Sequence, residues 1–284
     1  MADVILTAAL RSNLLSLQGT QRLLDQTQLR LATGLRVNSA LDNPAQYFAA
    51  QSLNNRASDL SRLLDNMGQA IQVLKTTDKA IQSLTSLVQQ AQALAQQAKD
   101  DASAGAPQAS IDVLATSYDG IMTQIDNLVG DSGYRGTNLL EGSATMTVTF
   151  NETGSSTLDV PGVNFVHGDS TGPTGLGIDT ATGVWDVNNI STTIDVSLAQ
   201  LSAALTVVRN QAEAFGTNLN ILQTREDFTQ NIINTLKEGA DKLTIADKNE
   251  EGAKLLSLQT TQQLGITSLS LASQANQAIL RLFQ

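Results

Sequence analysis

The segment from Leu198 to Leu243 reads LAQLSAALTVVRNQAEAFGTNLNILQTREDFTQNIINTLKEGADKL, and its periodicity decides the fold class. Steps of three and four residues, taken alternately from Leu198, meet almost only apolar side chains. The positions of this stripe are Leu198, Leu201, Leu205, Val208, Ala212, Phe215, Leu219, Leu222, Glu226, Thr229, Ile233, Leu236, Ala240 and Leu243. Only Glu226 and Thr229 are polar. Because a strand would alternate every second residue, this spacing predicts one long helix with a coiled-coil seam.

The first half of the chain carries a matching seam. Its apolar residues recur every seven positions, at Leu53, Leu60, Met67, Leu74, Ile81, Val88 and Ala95. A third helix is predicted over Ile111–Leu128, and the break between the two falls at Asp100–Pro107.

Both ends of the chain repeat the seam more weakly. The N-terminal positions are Leu10, Leu14, Leu17, Leu24, Leu31 and Leu35, and the C-terminal ones are Leu255, Leu258, Leu269, Ala272, Ile279 and Phe283. Such glutamine-interrupted helices are marginal in isolation. We therefore predict that they become ordered by packing against each other and against neighbouring copies, so that these residues form the assembly surface.

Residues 130–196 differ in composition from the helical segments. They contain eleven of the 20 glycines and two of the four prolines, and Arg135 is their only lysine or arginine. Alternating side chains predict a strand at Met146–Phe150, with shorter strand candidates at Val184–Val187 and Ile194–Val196. A small β-rich insertion is expected here.

These patterns predict a mainly α protein. We expect an elongated antiparallel coiled coil or helical bundle formed by the N- and C-terminal segments, with the β-rich insertion at its tip. The expected domains are an inner terminal-helix domain (residues 1–42 and 248–284), a helical rod domain (residues 43–142 and 197–247) and an outer insertion (residues 143–196).

The composition argues against several classes of function. The net charge is −10 and the 17 lysines and arginines are scattered singly, so no nucleic-acid partner is expected. The chain has no cysteine, and His167 is its only histidine, so we expect no enzyme activity, no cofactor and no metal site. No run of 18 apolar residues is present, and no membrane insertion is expected.

Two stretches resemble bacterial flagellin. Residues 31–45, LATGLRVNSALDNPA, resemble the family's Ser/Thr-Gly-Leu-Arg signature followed by Asn-Ser-Ala and an acidic turn. The second stretch begins at Ile245, continues through EEGAKL at residues 250–255 and ends with LASQANQ at residues 271–277. Arg135–Leu140 is similar to the segment that leaves the third helix in that family. The resemblance covers about residues 1–142 and 197–284.

The resemblance implies a structural subunit that leaves the cell through the flagellar type III pathway. Such a subunit polymerises outside the cell into the filament used for swimming. Its main partner is itself, with an export chaperone, the filament cap and the hook-junction proteins as further partners. The joint between inner and outer segments falls on Gly34, Asn38, Asp42, Asn43 and Pro44, where Gly34 interrupts one helix and Asn43-Pro44 predicts the start of the next.

The sequence is compatible with two alternative functions. A hook–filament junction protein of the same superfamily would share both termini but would not polymerise alone. A cytosolic coiled-coil scaffold would carry denser charge pairs beside its seam and would not explain the terminal motifs. A flagellin-like protease needs His-Glu-x-x-His, which a single histidine excludes.

Overall fold

The computed structural model describes residues 8–142, 144–168 and 175–282, and it describes side chains between residues 11 and 275 outside those gaps. Within this part the chain forms five α-helices: α1 (Ala8–Thr33), α2 (Pro44–Ser103), α3 (Gln108–Asp131), α4 (Ile194–Thr244) and α5 (Lys248–Leu282). Two strands, β1 (Thr145–Thr149) and β2 (Thr157–Pro161), and a short 3-10 turn (Ile190–Thr192) lie between α3 and α4. The prediction of a mainly α fold with a small β-rich insertion is confirmed.

The chain divides into two compact units. The terminal unit comprises residues 1–57 and 234–284, and the central unit comprises residues 58–233. The terminal unit contains α1 and α5, and the central unit contains α3 and the β-hairpin. Helices α2 and α4 contribute residues to both units.

The core of the central unit is built from one apolar stripe of each helix. Its buried side chains include Leu84, Val88, Ala91 and Ala95 of α2, Ile111, Tyr118 and Ile125 of α3, and Leu201, Ala204 and Val208 of α4. Their spacing of three, four or seven residues places each set on one helical face. A Lys99–Asp195 ion pair of 2.8 Å joins α2 to α4 beside this core.

The insertion is fixed to α3 by two carboxylates that are seven residues apart. Asp119 accepts hydrogen bonds from the backbone N–H groups of Ala181 (2.6 Å) and Thr182 (2.9 Å). Asp126 accepts the backbone N–H of His167 (2.9 Å) and lies 2.5 Å from Nδ1 of the same residue. The irregular loops therefore obtain their backbone partners from one face of α3.

The predicted strand at Met146–Phe150 is confirmed as β1, which pairs antiparallel with β2. The two shorter strand predictions are wrong. Val184–Val187 is an irregular segment between two turns, in which Trp185 buries its ring against Tyr118 and donates Nε1–H to Ser197 Oγ at 3.0 Å. Ile194–Val196 is the first turn of α4, because Ile194 continues the buried stripe of that helix.

Among the described residues, residues 190–244 contain one helix that is long and apolar enough to cross a membrane by length and composition alone. Its apolar side chains Leu201, Ala204, Leu205 and Val208 lie in the core of the central unit. The core helices of folded domains pass the same test, so one such helix is weak evidence for a membrane span.

Candidate assembly surface

The two terminal helices pack against each other in the terminal unit. Gln21 Oε1 accepts a hydrogen bond from Gln262 Nε2 at 2.6 Å, and Arg30 Nη1 lies 3.1 Å from Glu251 Oε1. The residue numbers of facing positions therefore rise along α1 and fall along α5. The helices are antiparallel, in a register that places Leu24 opposite the region of Leu258.

The inner face of this pair is closely packed. Leu24 is 3% exposed, and Thr20 and Thr27 beside it are also buried. A Cβ atom on Gly265 would lie 2.7 Å from Leu17 Cδ2, so the glycine allows the leucine to sit directly on the backbone of α5. The interface between α1 and α5 is thus rich in leucine, and the two helices approach closely where Leu17 packs on Gly265.

The structure places most of the predicted assembly residues on this inner face or near it. Leu24 is buried, while Leu17, Leu31, Leu35, Leu255, Leu258, Leu269 and Ala272 are half-buried. Leu14 is 39% exposed. The side chains of Leu10 and Ile279, and all of Phe283, lie outside the described residues. The predicted seam is therefore largely occupied by packing within the chain.

A second set of apolar side chains on the terminal helices faces solvent and lies outside the seam predicted from the sequence. On α1 these are Leu15, Leu23 and Leu29, and on α5 they are Leu256, Leu264, Ile266 and Leu271. Leu256 and Leu271 are each 70% exposed. A signal for them was available, because α5 carries more large apolar residues than one seam can hold.

The outer leucines of α5 lie nearly opposite its inner stripe. At about 100° per residue, Leu256, Leu264 and Leu271 cluster within roughly 80° of one another. The stripe through Leu258 and Leu269 is centred roughly 160° away from them. Helix α5 therefore has two apolar faces, one packed on α1 and one without a partner among the described residues.

The Arg30–Glu251 ion pair fixes the register of the terminal helices. The Arg30 and Glu251 side chains are only 19% and 8% exposed. Arg30 Nε and Glu251 Oε2 are buried and make no hydrogen bond within the described part of the chain. Because a half-broken buried ion pair leaves an uncompensated charge, a shift in register would be strongly destabilising.

The predicted joint residues form the turn between α1 and α2. Gly34 has a φ of 73°, a left-handed conformation that glycine adopts without steric cost, and its carbonyl accepts the N–H of Ala246 at 3.0 Å. Pro44 is the first residue of α2, and Asn43 Oδ1 accepts the N–H of Gln46 at 3.1 Å. Asn38 donates its side-chain amide to the Leu35 carbonyl at 3.0 Å.

Asp42 holds this turn together through its carboxylate. Its Oδ2 accepts the backbone N–H groups of Asn38 and Ser39, both at 3.0 Å. Hydrogen bonding from Ser39 N–H, and then from Asn38 N–H, lowers the pKa of Asp42 below its ordinary value, because both bonds favour the charged carboxylate.

The described ranges contain no candidate metal-binding site. No three histidine, cysteine, aspartate or glutamate side chains come together there in a way that could hold a metal ion. His167 is engaged by Asp126, as described above.

Comparison with known proteins identifies the family. Residues 5–145 match the model of the bacterial flagellin N-terminal helical region. The chain is 26% identical over its full length to the full length of a flagellin from Brucella melitensis. It is 28% identical to flagellin FljM of Caulobacter vibrioides, over 95% of this chain and 94% of that one. A crystal structure of Bacillus cereus flagellin superposes with a TM-score of 0.45 and 19% identity, over 58% of this chain and 88% of the other. The chain belongs to the bacterial flagellin family.

Proposed function

We propose that this chain is a structural subunit of the bacterial flagellar filament and that it polymerises through the outer faces of its paired terminal helices. The observation that carries the proposal is the second apolar face of α5, formed by Leu256, Leu264 and Leu271. Full-length similarity to flagellins supports the filament role. Flagellins are structural proteins, and we assign this chain no enzymatic activity.

Burial of the outer leucines supplies a suitable driving force. Complete burial of a leucine side chain contributes about 1.5–3 kcal/mol. Leu256, Leu264 and Leu271 are 70%, 65% and 70% exposed, so covering all three contributes roughly 3–6 kcal/mol per subunit. Contacts of this size are weak singly but add up along a polymer.

The arrangement favours an open polymer over a closed oligomer. If the α5 outer face of one copy packs on a different face of the next, such as that of Leu15 and Leu29 on α1, the contact is heterologous. Heterologous contacts that do not close into a ring propagate as helical filaments. In this proposal the inner seam positions predicted from sequence act indirectly, by holding the two outer faces in place.

The location and the accessory partners follow from the same proposal. The polymer forms outside the cell, after export through the flagellar type III pathway. An export chaperone, the filament cap and the hook-junction proteins complete the set of partners. The domain plan of inner terminal helices, rod and outer insertion describes the subunit within that filament, and the turn from Gly34 to Pro44 is its joint.

The test is seeded polymerisation of purified protein, followed by negative-stain electron microscopy. The wild-type chain should elongate short filament seeds into long uniform filaments. Leu271→Asp should abolish elongation, while the α1–α5 pair stays folded, because residue 271 faces away from α1. Val184→Asp is the matched control, since Val184 is a 49% exposed apolar residue of the insertion.

Two outcomes would overturn the proposal. Normal filaments from Leu271→Asp would exclude the outer face of α5 as an assembly surface. Failure of the wild-type chain to elongate any seed would favour the hook–filament junction protein, which shares the terminal helices.

A further inference from the structure

A recessed surface in the central unit is not used by the assembly proposal. It is an open groove of about 690 Å³ between α2 and β1. Its apolar lining comes from Leu63, Ala70 and Val73 of α2 and from Met146 and Val148 of β1.

One long wall of the groove is an unpaired strand edge. Phe150 N–H donates to the Ser156 carbonyl at 2.9 Å, which fixes the phase of the β1–β2 ladder. In an antiparallel pair only alternate residues direct their N–H and C=O groups at the partner strand. The N–H and C=O groups of Thr145, Thr147 and Thr149 therefore point away from β2. No hydrogen bond to these backbone groups is found among the described residues.

The opposite wall is a polar stripe of α2. Asp59, Arg62, Asn66 and Gln69 line the groove and recur at intervals of three and four residues, so they share one helical face. This stripe is roughly 15 Å long at 1.5 Å per residue. The five residues of β1 span roughly 17 Å. The two walls therefore match the length of a strand of about five or six residues.

The charges at the groove indicate an uncharged occupant. Asp59 and Arg62 form an ion pair with each other, and Arg135 donates Nη1–H to Gln69 Oε1 at 2.8 Å. Glu152 supplies a second carboxylate at the rim, so the two arginines and two acids formally cancel. An anionic or cationic ligand would gain no net attraction, whereas the side-chain amides of Asn66 and Gln69 lie where they can meet the backbone groups of an uncharged strand.

We propose that this groove binds an extended, uncharged peptide strand of a partner protein, which adds to the free edge of β1. The peptide backbone would pair with the outward groups of Thr145, Thr147 and Thr149. Its apolar side chains would lie on Leu63 and Met146, which are only partly buried, and its hydroxyl or amide side chains would face solvent. An extended backbone is favoured over a sugar because the free N–H and C=O groups recur every second residue along β1, the repeat of another strand.

The probe is the acetylated and amidated peptide Val-Thr-Val-Thr-Val-Thr, titrated into isotope-labelled monomeric protein. Saturable shifts of the Thr145, Thr147 and Thr149 amide signals are expected. Thr147→Pro removes one outward N–H without touching the β2 ladder and should weaken binding at least about tenfold. Thr147→Ala keeps that N–H and serves as the matched control, with near wild-type binding.

A second arm requires no protein variant. A peptide N-methylated at alternate residues cannot donate from that edge and should not bind. Absence of shifts with the unmodified peptide at millimolar concentration, or equal binding of the N-methylated peptide, would overturn the proposal. Pairing of the β1 edge with another copy of the chain in the absence of peptide would overturn the assignment of a partner protein. Because the titration uses monomer, its failure would leave the polymerisation proposal untouched.

Discussion

Substitutions of Leu24 and Leu15 should distinguish residues that stabilise the terminal helix pair from residues that act in assembly. Both are leucines of α1, but Leu24 is 3% exposed and Leu15 is 64% exposed. Leu24→Ala should therefore destabilise the α1–α5 pair, whereas Leu15→Ala should leave the pair intact and weaken polymerisation.

The expected magnitude follows from burial. Leucine-to-alanine changes in well-packed cores cost about 2–5 kcal/mol. A two-helix pair has half-buried neighbours such as Leu258, so the lower end of about 2 kcal/mol applies to Leu24→Ala. That cost corresponds to roughly a 30-fold increase in the opening equilibrium of the pair. Leu15→Ala removes little buried surface and should change opening by less than about twofold.

Amide hydrogen exchange of the monomer measures this opening helix by helix. Leu24→Ala should accelerate exchange in both α1 and α5, and the central unit should be unaffected. If Leu24→Ala leaves exchange in α5 unchanged, or if Leu15→Ala accelerates it equally, the assignment of inner and outer faces is incorrect.

Three further predictions concern the remaining parts of the chain. Gly162→Ala should disrupt the hairpin and lower the melting temperature, because the new Cβ would lie 2.5 Å from the Ala144 carbonyl oxygen; an unchanged melting curve would contradict this packing. Tyr118→Phe should leave the free energy of unfolding in urea unchanged or raise it by up to about 1 kcal/mol, because the buried hydroxyl has no hydrogen-bond partner within the described part of the chain; a clear loss of stability would reveal a partner. Since its folded-state pKa is lowered, Asp42 should stabilise the turn above its ordinary pKa of 3.8 and lose that contribution as pH falls through the lowered value. A carboxyl titration of Asp42 by NMR should give a midpoint below 3.8, and a midpoint at or above it would contradict the hydrogen bonds from Ser39.

The helices were predictable because each buries a stripe with a strict spacing. The seam of α4 keeps its phase even at Thr229, which is buried despite being polar. The same spacing extends back to Ile194, so the start of α4 could have been found by continuing the stripe upstream. The irregular segment at Trp185 could not have been predicted, because a short apolar run fits a strand, a helix or an irregular segment equally well.

The exposed apolar face that we propose for assembly was not predicted from the sequence. A heptad pattern identifies the positions that pack within the chain, such as Leu24 and Leu258, because two paired helices bury the stripe that lies between them. The outer leucines 256, 264 and 271 lie off that seam. The carboxylates of Asp119 and Asp126 were also missed, because their partners are backbone groups distant in sequence.

In the proposed filament the outer face of α5 becomes buried between subunits. The chain has no cysteine, so Leu271→Cys introduces a single thiol whose labelling by a maleimide reports exposure. We expect rapid labelling in the monomer and at least about tenfold slower labelling in filaments, while a Val184→Cys control on the insertion labels rapidly in both. Equal labelling of residue 271 in monomer and filament would show that the outer face of α5 is not buried by assembly.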